Sequence, residues 1–262
     1  MMLSFVSPSL CRGEGAAPAL PEGYNTGLDL NGVLSQANEH YTQGELIKAL
    51  DGYLYLLGLG VRNGYLYYNL GNTHFRLGRL GDAILWYERA LRLLPRHRDL
   101  FVNYVYARNQ LADEEFQQAK YGGTVDMLRS IHHYLNMRES LLCALAAFWL
   151  WTLSLLLLWQ VRTETARGWL RIPCWTLGIA FILLSLSASW KIYDYERSAE
   201  AIVMAQAVDI KTGPNADMKT AFTLHEGTKV DVLREQGGWA RISLPGNSAF
   251  NGWLLKEAIE TI

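Results

Sequence analysis

The chain has 262 residues, half of them hydrophobic, with 24 basic and 25 acidic side chains. That is long enough for two or three separately packed units and too evenly charged for a dedicated nucleic-acid binder, and its basic residues are scattered among acidic ones without forming a phosphate-binding patch. Three cysteines, Cys11, Cys143 and Cys174, are too few and too far apart for a disulfide framework or a metal cluster.

Residues 1–26 read as a leader, a degenerate or truncated signal region, because MMLSFVSPSLCRGEGAAPALPEG has no basic start and only a broken apolar stretch. Over 27–113 the sequence matches itself when shifted by 34 positions: Gly78, Ala83, Tyr87 and Leu91 fall over Gly44, Ala49, Tyr53 and Leu57, and Asn72 over Asn38. Such a period, with small residues at fixed offsets, predicts stacked helix-turn-helix units that bury a core only where side chains vanish at the crossings. Gly64 to His97 resembles a tetratricopeptide repeat at Tyr67, Leu70, Gly71, Ala83, Tyr87, Ala90 and Pro95, with His74 in place of an aromatic. Leu30 to Asn63 is a degenerate copy, with Val33, Gln36 and Ala37 off the pattern. Gly78 should end the first helix of the better unit and Pro95 the second. RDLFVNYVYARNQLADEE reads as one more helix capping the solenoid, with Phe101, Val105 and Leu111 among its apolar positions and Asp113, Glu114 and Glu115 as a solvated face.

Solenoids of this family hold peptides in a concave groove lined by the first helix of each pair. The resemblance places that groove at Asn38, Tyr41, Tyr65, Tyr68, Asn69, Asn72, Arg76, Asn103 and Tyr106. The inventory suits an extended peptide, since Asn amides bond a backbone in both directions and Tyr rings give rigid contact area.

Residues 114–138 form an expected juxtamembrane helix, with Met127, Ile131, Tyr134 and Leu135 at helical spacing. Two uncharged apolar runs follow, at 139–160 and 171–191, each long enough to cross a bilayer, with Trp159, Trp169, Trp175 and Trp190 near their ends. Pro173 would then occupy a first helical turn. The stretch VRTETARGWLR, made of the loop 161–170 and the first residue of the second run, carries Arg162, Arg167 and Arg171 against Glu164, which assigns the loop to the cytoplasm and sends both soluble parts to the other side. Export of the N-terminal part requires a signal peptide, so either the start is truncated or misassigned, or that part is cytoplasmic.

From residue 200 to 262 the pattern turns to alternation, with β-rich runs at Ala201 to Ala207, Lys229 to Leu233 and Trp239 to Leu244 between turn residues. VDIKTGPN, LHEGTKVDVL, GGWARISL and NGWLLKEAI resemble the bacterial SH3 family, which implies a small all-β barrel. Trp239 is expected to pack across a hairpin and Trp253 to anchor the final strand in the core. The fold class is thus a multidomain membrane protein: an all-α tetratricopeptide-repeat solenoid, a two-helix transmembrane hairpin and an SH3-like barrel.

No nucleophile, base and orienting group share a recognisable spacing, and YGGT at Tyr121 to Thr124 lacks the lysine of a phosphate loop. His40, His74, His97 and His225 have no Cys, Asp or Glu at metal-ligand spacing, so neither an enzyme nor a cofactor is expected. The order of modules resembles the BatE-type proteins of bacterial aerotolerance operons, notably through ANEHYTQGELIKAL, LYYNLGNTHFRLGRLGDAILWYERALRLLPR and NYVYAR. That resemblance implies a scaffold in the bacterial inner membrane, with soluble domains on the periplasmic side. Its implied partners are other Bat-type membrane proteins with von Willebrand A domains and a MoxR-type ATPase system, alongside membrane lipid. Cell-wall peptidoglycan, sensed or bound through the SH3 domain, is the alternative.

Overall fold

A computed structural model describes residues 19–25, 27, 29–113, 137–197, 199–245 and 247–262. Most of the leader, and the juxtamembrane helix up to residue 136, lie outside the described residues.

Five helices come first: α1 (Leu30–Gln43), α2 (Leu46–Gly58), α3 (Gly64–Arg76), α4 (Leu80–Leu93) and α5 (Arg98–Arg108). The 34-residue period appears in their first turns. Asp29, Asn63 and His97 each take a backbone N–H from the helix they precede, at 2.8, 2.8 and 3.1 Å, which satisfies one orphan donor per helix start. Helix α5 is therefore the first helix of a third unit in register with α1 and α3. Packing follows the small residues. A Cβ on Gly71 would stand 2.5 Å from the Tyr87 ring, and Ala83 and Ala90 are fully buried where α4 crosses its neighbours. Gly78, at φ +75°, takes the left-handed conformation that turns the chain from α3 to α4.

Helix α5 corrects the expected apolar face. Leu100, Ala107 and Leu111 are buried against α4, whereas Phe101 and Tyr106 lie more than half exposed. The helix is apolar on two sides, and the one chosen is set by α4.

Helices α6 (Met137–Gln160) and α7 (Glu164–Arg197) form an antiparallel hairpin, each long and apolar enough to cross a membrane. They meet through small residues. Ala144, Ala147, Cys174 and Ala188 are buried, and a Cβ on Gly178 would come within 3.0 Å of Trp151 Nε1, which allows the close backbone approach that lipid-embedded helices use. The outer surface is Leu- and Trp-rich, with Trp159 81% and Trp169 79% exposed. The connection is three residues, 161–163, rather than the ten expected, because α7 starts at Glu164. Pro173 accordingly sits inside α7 and not in its first turn. The hairpin closes at its base, where Lys191 Nζ donates to Ser140 Oγ at 2.6 Å.

The C-terminal part is one antiparallel sheet: β1 (Ala199–Val203), β2 (Ala207–Lys211), β3 (Thr220–His225), β4 (Lys229–Gln236), β5 (Trp239–Leu244), β6 (Asn247–Leu255) and β7 (Ile259–Thr261), in the order β3-β2-β6-β5-β4-β1-β7. The ladder is open at β3 and β7, so a closed barrel is not what forms. At the β7 end the solenoid takes the place of a further strand: Arg89 of α4 donates to Thr261 O at 2.5 Å and Arg92 to Ile262 O at 2.8 Å, covering edge carbonyls that would otherwise recruit another chain. Ala201, Val203, Ile210, Leu224, Val230, Ala240, Ile242 and Leu254 share one core. Trp253 is not in it; the strand period turns Gly252 and Leu254 inward and leaves Trp253 on the other face, half-buried.

Replacing Ala83 by Leu should overpack the α3–α4 crossing and cost about 1–3 kcal/mol. A denaturant midpoint unchanged from the parent protein would contradict this packing.

Candidate functional site

The first helices of the three units carry a hydrogen-bond relay that repeats with the period. Asn38 Oδ1 accepts from Tyr53 OH at 2.8 Å and from Asn69 Nδ2 at 2.9 Å. One unit later, Asn72 Oδ1 accepts from Tyr87 OH at 2.8 Å and from Asn103 Nδ2 at 2.9 Å. Burial, more than any neighbouring charge, pushes both the Tyr53 and Tyr87 phenols well above the usual tyrosine range, so each is a fixed donor at neutral pH. Each relay joins the second helix of a unit to its first and the first helix to that of the next unit.

The relay orients the amides. With both lone pairs of Oδ1 occupied, Asn38 and Asn72 have their Nδ2 donors left to offer. Asn103 has the reverse polarity, because its Nδ2 also donates to Tyr68 OH at 3.0 Å, which leaves its carbonyl as the remaining group.

Around this relay lies a cleft of about 250 Å³ lined by Tyr41, Asn72, Phe75, Arg76, Tyr87, Asn103 and Tyr106. Arg76 crosses from α3 to α1: it donates to Tyr41 O at 2.9 Å, and its guanidinium stands 4.7 Å from the centre of the Tyr41 ring. Tyr106 packs edge-on against Phe75 at 5.7 Å. Five of the nine expected groove residues, Tyr41, Asn72, Arg76, Asn103 and Tyr106, therefore line one cleft. Asn38, Tyr68 and Asn69 belong to the relay beside it. Tyr65, more than half exposed, lies against His97 at 5.5 Å and away from the cleft lining. Phe75 and Tyr87 also line the cleft. Tyr87 carries a packing signal that masks its hydroxyl, whereas Phe75 falls over Tyr41 in the shifted copy, so the period itself could have found it.

On the far side of α4 the sheet docks. Lys229 of β4 bonds Glu88 of α4 at 3.2 Å and Glu200 of β1 at 3.0 Å, and Arg92 reaches Glu200 at 2.9 Å. Burial opposes the lysine's charge, but Glu88 and Glu200 outweigh it and hold the ammonium above the usual lysine range. Burial likewise disfavours the Glu200 carboxylate, yet Lys229 and Arg92 outweigh it and hold the group below the usual glutamate range. Glu88 also accepts from Tyr104 OH of α5 at 2.7 Å, and Arg89 pairs with Glu260 at 3.1 Å. Apolar contact completes the joint: Ile202 is fully buried in the cluster formed by Ala83, Ile84, Tyr87 and Leu100.

Asp113 corrects the expected solvated face. It is 4% exposed and accepts from His225 N at 2.7 Å and Thr228 Oγ1 at 2.8 Å, with His225 Nδ1 at 2.9 Å. The residue looked free in the sequence because its partners lie more than a hundred positions away. It clasps the turn after β3 to the end of the solenoid.

Among the described residues no group of three or more His, Cys, Asp or Glu is placed to hold a metal ion. His74 is buried in the solenoid, with Nδ1 3.5 Å from Asp82 Oδ2 and without a hydrogen bond. Its pKa is lowered, chiefly by burial, against the pull of Asp82. A depressed histidine contributes stability that is present above its unfolded value of about 6.5 and is lost as pH falls from there toward the folded pKa. The melting temperature should therefore drop on acidification through pH 6 more steeply in the parent protein than in His74→Phe. Parallel curves would contradict the burial of this imidazole.

The family model that matches is the tetratricopeptide repeat, over residues 64–97. No curated protein matches the chain. The chain carries a tetratricopeptide repeat, spanning α3, α4 and the turn before α5.

Proposed function

We propose that the protein is a membrane-anchored adaptor whose repeats hold an extended segment of a protein partner in the α1–α3–α5 cleft. One observation carries this reading: Asn72 Nδ2 and Asn103 Oδ1, a donor and an acceptor set by the relay, lie in one cleft with the Phe75 and Tyr106 rings. A peptide backbone offers alternating C=O and N–H groups and is matched by that pair, while the rings give its side chains apolar area. A tetratricopeptide repeat supports protein partners in general. The nine positions named from the sequence are the proposed groove, with Tyr65 at its margin.

On this reading the module boundaries are those given by the sequence apart from the loop between the spans, which shortens to 161–163, and the sheet is an open relative of the bacterial SH3 fold. The membrane is the bacterial inner membrane, and the solenoid and sheet are periplasmic. Their side is shared: the hairpin returns the chain to where it began, and Glu88, Arg89 and Arg92 bond the sheet directly. The order of modules supports a BatE-like scaffold for other Bat-type membrane proteins with von Willebrand A domains and for a MoxR-type ATPase system.

Tyr106 is 62% and Tyr65 54% exposed, so both can be shortened with little loss of fold. The full-length Tyr65→Ser/Tyr106→Ser variant should recover several-fold less of a co-expressed Bat-type von Willebrand A partner, at an unchanged melting temperature. Equal recovery would sink the groove. Retention of full-length parent and variant alike on purified peptidoglycan would favour the cell-wall reading instead.

A further inference from the structure

We infer that the segment held in the cleft carries an acidic side chain, Asp or Glu, opposite Arg76. The inference rests on the peptide-groove reading and adds the chemistry of one residue to it.

The lining, Tyr41, Asn72, Phe75, Arg76, Tyr87, Asn103 and Tyr106, contains one cation and no carboxylate. Three of the other arginines on the solenoid have acidic partners: Arg89 pairs with Glu260, Arg92 with Glu200 and Arg96 with Glu139. Arg76 pairs with none of the described carboxylates. It is nonetheless held in place, by a hydrogen bond to Tyr41 O and by the Tyr41 ring beneath its guanidinium. One N–H of the fork is used there, and the rest of its charge faces the cleft. A guanidinium fixed in this way has lost much of its rotamer freedom before any ligand arrives, so less is lost when a carboxylate binds.

Two of the three relay amides add donors, and Asn103 alone leaves an acceptor. The relay consumes the oxygens of Asn38 and Asn72 and leaves their amide N–H groups, so acceptor-bearing groups are favoured on both sides of Arg76. Its position also decides between a side chain and a chain end. Arg76 bridges α1 and α3 in the middle of the run from Asn38 on α1 through Asn72 on α3 to Asn103 on α5. A segment crossing those three helices passes Arg76 partway along, where it presents a side chain and not its terminal carboxylate.

The test is an array of acetylated, C-amidated decapeptides of random flanking sequence with Glu, Gln or Lys fixed at the centre, probed with the full-length protein in nanodiscs. A second copy of the array has free C-termini. Arg76 is exposed, and an ion pair to an exposed guanidinium is worth up to about fivefold in affinity over its neutral counterpart. Glu peptides should therefore be retained about three to five times better than Gln peptides on the amidated array. Arg76→Gln should bring that ratio to about one, and Arg76→Lys should keep part of it. A ratio near one in the parent protein, with peptides still retained, overturns the acidic side chain and leaves the groove standing. Retention only on the free-carboxylate array overturns the side chain in favour of a terminus. No retention of any peptide overturns both readings.

Discussion

Lys229 sits between the carboxylates of Glu88 on α4 and Glu200 on β1, with Arg92 completing the network from the solenoid side. Removing such charges from water is costly unless each finds its counterpart, and here they are matched across the joint between two units that the sequence separates by the whole hairpin. The rest of the architecture depends on this joint. It buries α4 on every side, so that Ala83 through Glu88 are six consecutive buried residues. It places arginines on the carbonyls at the β7 end of the sheet. It also fits the antiparallel course of α6 and α7, which brings the chain back to the end of the hairpin from which it started.

That arrangement divides the solenoid into two faces with different tasks. Helix α4 faces the sheet, and its Glu88, Arg89 and Arg92 are taken by internal partners. The first helices face the cleft, where the relay satisfies one half of each Asn amide and leaves the other half oriented. A single residue pair couples the faces: Tyr87 bonds Asn72 in the cleft while its neighbour Glu88 bonds Lys229 in the joint. Rigidity in α4 therefore serves both, because a fixed donor in the cleft lowers the entropy lost on binding.

What could be read from the chain follows from how local the physics is. The 34-residue period exposes Gly71, Ala83 and Ala90 because crossing points recur wherever helices of equal length stack, and apolar runs without charge reveal α6 and α7 by composition alone. The strands of the sheet were legible at β4 and β5, where alternation is clean. The joint was hidden because Arg89, Arg92, Asp113 and Lys229 are charged residues that read as solvated surface unless their partners are known, and the partners that cross the joint are between 108 and 172 positions distant. The same blindness set Phe101 beside Leu111 among the apolar positions of the capping segment, although Leu111 is buried and Phe101 is exposed. In the cleft, residue types were visible, but the orientation of each Asn amide depends on a tyrosine 15 positions away and a second Asn 31 away.

Docking of the sheet on α4 is the claim on which the covered β7 edge and the division of the solenoid into two faces both rest. A Cβ placed on Gly81 of α4 would stand 3.5 Å from Glu226 Cβ in the turn before β4, at the short end of the range of about 3.5–4.5 Å that a disulfide spans. In a full-length protein with Cys11, Cys143 and Cys174 replaced by alanine, Gly81→Cys and Glu226→Cys should form an intramolecular disulfide under mild oxidation, read as a reducible mobility shift after proteolysis between the solenoid and the sheet. Two free thiols that react independently with maleimide, in protein that melts as the parent does, would show that the two units do not sit together.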